Sequence, residues 1–399
     1  MKILRFNPQD CRFPKPRIPP LPHLPAWPAV RREKMQQIDE RPADHFRHFT
    51  RGRYALMQAC RLAGLCPQTT FFAPAYHCVT MIDPALALGA DVQLFRLNDD
   101  LSPDMAHIAE LAASCPSPIK ALLATHYFGV IQDFRPLQKF CRAQGIVLIE
   151  DCSHVLFTDY FQAAGSGRCG DLVIASPYKF FSCADGGLLY APKANRLANV
   201  VTQSASPIDE LAGIKNTYEK SRLPTITVGD CNALDSRCAT LANSPLILAA
   251  DEIIERDTPS EHYTATLENR SSLRYSRWMF RQAPPAENGR KRRQNFLHWS
   301  AALAHIPNCR PIIDDLPADC IPYMFPIYIA HPDPHFYWLK HLGVPVWRWD
   351  EMGASSCRTA KDYRLHLLHL PCHQALSDEQ MNWMIQAFAK IMSSTKGKS

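Results

Sequence analysis

No run of about 18 consecutive apolar residues occurs in this 399-residue chain, so no segment has the length and polarity of a membrane-spanning helix. The opening Met1-Lys2-Ile3-Leu4-Arg5 lacks the apolar centre of a secretory leader. No Cys-x-x-Cys pair occurs among the 15 cysteines, which argues against structural zinc, and their odd number in so long a chain argues against a disulfide scaffold. They read as reduced thiols, and a soluble cytoplasmic protein is expected. No Gly-x-Gly-x-x-Gly follows an early strand, which disfavours a dinucleotide-binding protein. The net charge of +6 comes without an aromatic-rich basic stripe, so nucleic acid is not an expected partner. The basic run Arg290-Lys291-Arg292-Arg293 reads instead as the start of a solvated helix.

What is present is enough apolar material for more than one core. At 399 residues and 46% hydrophobic, about two domains are expected. Residues 1–44 are rich in proline (Pro14, Pro16, Pro19, Pro20, Pro22, Pro25, Pro28), and the missing amide donors exclude regular helix and central strand there. An extended arm is expected, either packed or disordered. Asp91–Phe95 and Ala121–Gly129 then read as a strand and a strand running into a loop. Helical spacing over Leu137–Gln144 is stopped by Gly145, and a further apolar run follows. Strand, helix and strand in turn predict an α/β fold with a mostly parallel, doubly wound sheet. The large domain is placed at 45–285, with 193–285 a largely helical insertion, and a smaller C-terminal α/β domain at 286–399. The nearest approach to a metal cluster is His366, His369, Cys372 and His373, but their Leu-His-Leu-Leu-His-Leu-Pro setting reads as a strand entering a turn, and no metal is expected.

The chemistry concentrates in residues 145–189. Two short apolar runs, Ile146–Ile149 and Leu172–Ala175, look like buried parallel strands. The first delivers Asp151 at its C-terminal end and the second delivers Lys179 just past its own, where open α/β sheets gather ligand-binding groups. Either residue alone reads as a cap or a solvated charge. Together they supply the two protein groups that a pyridoxal phosphate site most needs, a lysine for a Schiff base and a carboxylate for the pyridinium nitrogen. Upstream, Gly52-Arg53-Tyr54-Ala55 would open a helix whose free amides could hold a phosphate.

Glu150-Asp151-Cys152-Ser153-His154, and Ser176-Pro177-Tyr178-Lys179 followed by Asp185-Gly186-Gly187, resemble the signatures of the DegT/DnrJ/StrS sugar aminotransferases, which are fold type I pyridoxal phosphate enzymes. The resemblance runs from about residue 50 to 190 and from 290 to 390. It takes in Gly52-Arg53-Tyr54-Ala55-Leu56, with Arg53 where the family has threonine, Arg292-Arg293-Gln294-Asn295-Phe296 at the entry to the small domain, and Leu370-Pro371 through Ser377-Asp378-Glu379, where Ser377 would cap the last helix.

The resemblance implies a homodimeric aminotransferase in which Lys179 holds the cofactor and moves protons, and Asp151 keeps the pyridine nitrogen protonated. His154 would hydrogen-bond the phenolic oxygen, and Ser176 with the amides of Gly52, Arg53 and Tyr54 would hold the phosphate. In Ala75-Tyr76-His77-Cys78 the family's ring-stacking aromatic is replaced. Cys78 takes its place by register, His77 offers a flat π system and is preferred, Tyr76 is second, and a histidine satisfied by backbone is the alternative. The family's Asn-Tyr/Phe-Arg segment, which reaches into the partner's site, is missing from 193–285, with Arg274-Tyr275-Ser276-Arg277 the nearest substitute. The implied reaction passes an amino group from an amino acid to a keto sugar, and Trp347-Arg348-Trp349 would bind the acceptor's phosphate and stack on it, unless the tryptophans are core residues and Arg348 a surface charge. A non-catalytic homologue stays open because of the missing segment. Sugar dehydration, found where histidine replaces the lysine, is opposed by Lys179.

Overall fold

In the computed structural model, residues 1–7, 13–23, 43–155, 167–221, 226–243, 250–282, 285–318 and 320–394 are described. Seven strands form the main sheet: β2 (Phe46–Phe49), β3 (Thr70–Pro74), β4 (Asp91–Phe95), β5 (Ile119–Thr125), β6 (Val147–Asp151), β7 (Leu172–Ala175) and β8 (Gly187–Tyr190). They follow the spatial order β2-β8-β7-β6-β5-β3-β4. The pairs from β7 across to β4 are parallel, and β8 runs antiparallel to both β7 and β2. The parallel strands read as apolar runs because both of their faces are covered, so Leu122 and Ala124 enter one core while Ala121 and Leu123 enter the other. The helix Arg135–Gln144 ends, as expected, at Gly145 in the left-handed region with φ 67°.

A second sheet, β10 (Cys309–Pro311), β11 (Met324–Ile329) and β13 (Leu367–Pro371), is antiparallel. The helices Pro285–Leu303 and Asp378–Met392 pack on it through Trp299, Phe325, Trp383 and Phe388. Ser377 caps the last helix in a reciprocal capping box with Gln380.

The third sheet corrects the reading of the N-terminal arm. β1 (Lys2–Asn7) is the central strand between β9 (Ala250–Glu255) and β12 (Met352–Gly353), antiparallel to both. Its six residues precede the first proline of the arm, so every amide can donate, and Ile3 and Phe6 are buried. Of the arm's other prolines, Pro25 and Pro28 lie outside the described residues. The region after β8 holds the helices Pro207–Ser221, Val228–Asn232, Leu234–Asn243 and Arg274–Gln282, with β9 as a strand that the helical reading did not include.

Candidate active site

The C-terminal ends of β5, β6 and β7 and the N-terminal end of the antiparallel β8 lie along one edge of the sheet. β6 ends in Asp151, whose Oδ1 accepts the Ser153 amide at 2.8 Å. β7 runs into Ser176 and the short turn Pro177–Lys179, so the Asp151 carboxylate and the Lys179 side chain sit at neighbouring strand ends. The helix α1 (Gly52–Leu62) follows β2 and starts at the same edge. No side chain caps it and its first turn carries no acid, which leaves its positive end open to an anion. Gly52 makes the close approach possible, since a Cβ there would lie 2.3 Å from Ser176 Oγ and 3.5 Å from Ser153 Oγ. Gly187 serves the same junction, because a Cβ on it would lie 2.2 Å from the Arg51 carbonyl oxygen.

Around this edge stands a group of aromatic side chains. Tyr323, entering β11, stacks on His154 at 4.3 Å, and the Lys179 amine lies 5.2 Å from the centre of the same tyrosine ring. Trp349 lies 5.0 Å from Tyr76, 5.6 Å from His154 and 5.3 Å from His369. Tyr76 Oη meets His369 Nε2 at 2.9 Å, and Tyr127 Oη donates to the Tyr76 carbonyl at 2.6 Å. Burial, reinforced by the positive charge of Lys179, pushes His369 down to about 3 and His154 well below the ordinary histidine value. Both rings are therefore neutral. His154 Nδ1 accepts the Phe128 amide at 3.4 Å, which puts its proton on Nε2 and makes that nitrogen a donor.

The structure gathers Asp151, His154, Ser176, Lys179, Gly52 and Tyr76 at this edge, while the side chains of Arg53 and Tyr54, of which the amides are the expected ligands, make other contacts. The Arg53 guanidinium donates to the His262 carbonyl, and the Tyr54 ring packs on Tyr263 while its hydroxyl accepts the Thr264 amide. The Tyr54 amide is itself engaged, donating to Arg51 O at 3.1 Å. His77 is corrected towards its alternative. Its Nδ1 meets the carbonyls of Pro74 (3.0 Å) and Ala75 (3.1 Å), its Nε2 accepts the Gly353 amide (3.1 Å), and burial pushes it down to about 4. Cys78 Sγ pairs with Thr80 Oγ1 at 3.3 Å, leaving Tyr76 as the residue of this stretch that joins the aromatic group.

Arg348 is also corrected, and it is neither an exposed ligand nor a surface charge. Its guanidinium lies between the rings of Phe6 (4.3 Å) and Phe336 (3.9 Å), and Nη1 donates to Leu365 O at 3.0 Å. Trp347 bridges to His369 through backbone. The member of this segment that meets the site is Trp349, which period-2 alternation could have separated from Arg348. In the histidine-cysteine group, His366 bonds Ile329 O, His369 bonds Tyr76, Cys372 bonds Pro322 O and His373 bonds Pro19 O.

Among the described residues one set could in principle ligate a metal, His126, Glu150 and Cys152. Glu150 is already saturated by the amides of Gly167, Cys169 and Gly170 and by His126 Nε2 at 3.0 Å. His126 Nδ1 accepts the Gln132 amide, so Nε2 is the protonated nitrogen. Burial raises the Glu150 carboxyl, yet His126 and the amides outweigh it and hold the group below its ordinary value. This is a clamp on the loop between β6 and β7.

The model of the DegT/DnrJ/EryC1/StrS aminotransferase family matches residues 43–389. Among solved structures, the chain is similar to the aminotransferase TlmJ from Streptoalloteichus hindustanus, with 18% identity over 88% of this chain and 87% of that one and a TM-score of 0.58. It is also similar to NtdA from Bacillus subtilis with bound cofactor PMP (15% identity, 88% and 73% covered, TM-score 0.57). A third is the PLP form of the putative sugar aminotransferase Spr1654 from Streptococcus pneumoniae (13% identity, 87% and 86% covered, TM-score 0.57).

Proposed function

Because the chain belongs to the DegT/DnrJ/EryC1/StrS aminotransferase family, whose fold type I enzymes work with pyridoxal phosphate, we propose that it moves an amino group from an amino acid, glutamate by preference, to a nucleotide-linked keto sugar. The product would be an amino sugar of a surface polysaccharide or secondary metabolite. The observation that carries this reading is the meeting of Lys179, Asp151 and the Gly52–Ser176 junction at adjacent strand ends. The sugar part is supported by the likeness to a protein described as a putative sugar aminotransferase. The nucleotide part rests on the family resemblance, since Arg348 faces Phe6 and Phe336.

The donor set fits the cofactor. The acid-free start of α1, with the amides of Gly52 and Arg53 and the hydroxyl of Ser176, suits a phosphate. The Asp151 carboxylate would hold the proton of the pyridine nitrogen, and His154 Nε2–H would donate to the phenolic oxygen. When bound, pyridoxal phosphate supplies the carbonyl carbon and the electron-poor ring. The Lys179 amine would hold that carbon and, once freed, take the donor's Cα proton and return it on the other side of the exchange. Tyr323 lies beside the amine, and Tyr76, joined to His369, is the preferred side chain to face the ring.

The active unit in this reading is a homodimer with shared sites. The helix Pro207–Ser221 leaves Ile208 (78%) and Leu211 (68%) exposed, and Trp278 (51%) stands on the adjoining helix Arg274–Gln282. That second helix is tied to the site by Asp185, which accepts the Leu273 amide at 3.2 Å. An active monomer in sedimentation would remove this part of the reading.

The first test is borohydride reduction of the loaded protein followed by peptide mass analysis. Cofactor mass is expected on Lys179 in the wild type, and Lys179→Ala is expected to keep its circular dichroism while losing both the adduct and transamination. Full transamination by Lys179→Ala, or an adduct elsewhere, would overturn the assignment.

A further inference from the structure

Arg292 is the third residue of a basic run of four, yet it is fully buried (0% exposed). Among the described residues no carboxylate lies within ion-pair distance of it. Its five donors go to uncharged acceptors: Nε to Gln374 Oε1 (2.8 Å), Nη1 to the carbonyls of Pro322 (3.1 Å) and Tyr323 (3.2 Å), and Nη2 to those of Lys179 (3.1 Å) and Phe180 (3.3 Å). The plane of the group lies over the Phe180 ring at 4.7 Å, and Gln374 Nε2 donates to Phe180 O at 2.7 Å.

These contacts close a circuit. The Lys179 side chain reaches over the Tyr323 ring, and the main chains of both residues are gripped by one guanidinium. Tyr323 is fixed again by its amide, which donates to Phe128 O at 2.9 Å, and by its stack on His154. A rigid planar fork can span four carbonyls on two segments, whereas a lysine offers three donors from a single point. Desolvating a cation without a counter-ion costs stability unless every donor is met, as it is here, and an apolar side chain in its place could not direct four carbonyls.

We propose that Arg292 is a positioning residue for the reaction, setting the Lys179 amine over Tyr323 by holding both backbones to the helix Pro285–Leu303. The proposal rests on the reading of Lys179 given above.

The test compares the holoenzyme with Arg292→Lys and Arg293→Lys. Arg293 lies on the same helix but donates to the carbonyls of Pro317 and Cys320, away from Lys179. For each protein, the amount of cofactor trapped on Lys179 by borohydride, the melting temperature, and the single-turnover rate with glutamate per trapped site are measured. Arg292→Lys is expected to slow that rate on the order of 10- to 100-fold, as misplacement of a reacting group does, with half-saturation by glutamate changed by no more than about twofold. Arg293→Lys is expected to lower the melting temperature alone.

An unchanged rate per trapped site in Arg292→Lys, or an equal loss in Arg293→Lys, would overturn the proposal. Should Arg292→Lys fail to fold, Gln374→Ala removes one anchor of the same circuit and is expected to slow the rate several-fold, and an unchanged rate there would also overturn it. A wild type that traps no cofactor on Lys179 would instead overturn the functional reading.

Discussion

Arg292 and Arg348 are both buried guanidiniums next to aromatic rings, and the molecule holds them in different ways. Arg292 meets five neutral acceptors and stacks on one ring. Arg348 lies between two rings, donates to Leu365 O, stands 3.5 Å from an Asp350 oxygen, and leaves Nε and Nη2 without a hydrogen bond. The first arrangement uses the direction of every N–H to fix two backbone segments. The second uses the charge and the flat faces, which fill space between β1 and the helix Pro332–Leu342 without fixing a direction. Burial of a cation therefore says little by itself, and the acceptor count separates a positioning group from a packing one.

The largest effect that would sharpen this contrast is expected from Arg292→Met. It leaves four backbone carbonyls and Gln374 without their donor, and a loss on the order of 3 to 5 kcal/mol in unfolding free energy is expected. Chemical denaturation that shows less than about 1 kcal/mol would erase the distinction between the two sites.

A smaller effect is expected from pH. Burial pushes His373 from 6.5 down to about 3, against the hydrogen bond to Pro19 and with the help of the Arg292 charge. The folded chain keeps this ring neutral while the unfolded chain protonates below 6.5, so stability present above that value is lost as the pH falls towards about 3. The loss runs at about 1.4 kcal/mol per pH unit, or about 2 kcal/mol by pH 5. The Arg348 neighbourhood has the opposite sign. Burial raises the Asp350 carboxyl against the pull of Arg348, which favours the folded state at low pH and withdraws that contribution as the pH rises through the folded value. His373→Asn should flatten the acid limb of a melting-temperature profile. A parallel profile would show that His373 is not its source.

Arg348→Met should have the smallest effect, within about 1 kcal/mol of wild type on either side, because an apolar side chain of similar volume can fill the space between the rings and the Asp350 carboxylate it leaves behind is a third exposed to water. It should leave both half-reactions intact. A selective loss with the keto-sugar acceptor would return Arg348 to the site.

Much of the architecture was readable because parallel strands covered on both faces appear as short apolar runs, and Val147–Asp151 and Leu172–Ala175 carry Asp151 and Lys179 to one edge. Arg292 was hidden because four of its five acceptors are main-chain carbonyls, which have no signature in a sequence, and its neighbours in the basic run are more exposed. Trp349 was hidden by grouping it with Arg348, although an extended segment sends adjacent side chains to opposite faces. His77 and Tyr76 could not be separated without knowing that the Gly353 amide, from a strand 276 residues away, would occupy the histidine.

The central place of β1 has a consequence for synthesis. Ile3 pairs with Ile254 on one side and Gly353 on the other, so a ribbon synthesised well before both of its neighbours is among the last to be enclosed. At translation rates of about 5–20 residues per second, Ile3 and Leu4 wait roughly 20 to 70 seconds for their second neighbour. During that interval a nascent chain carries a half-paired apolar strand, which makes this segment the natural holding point for a chaperone.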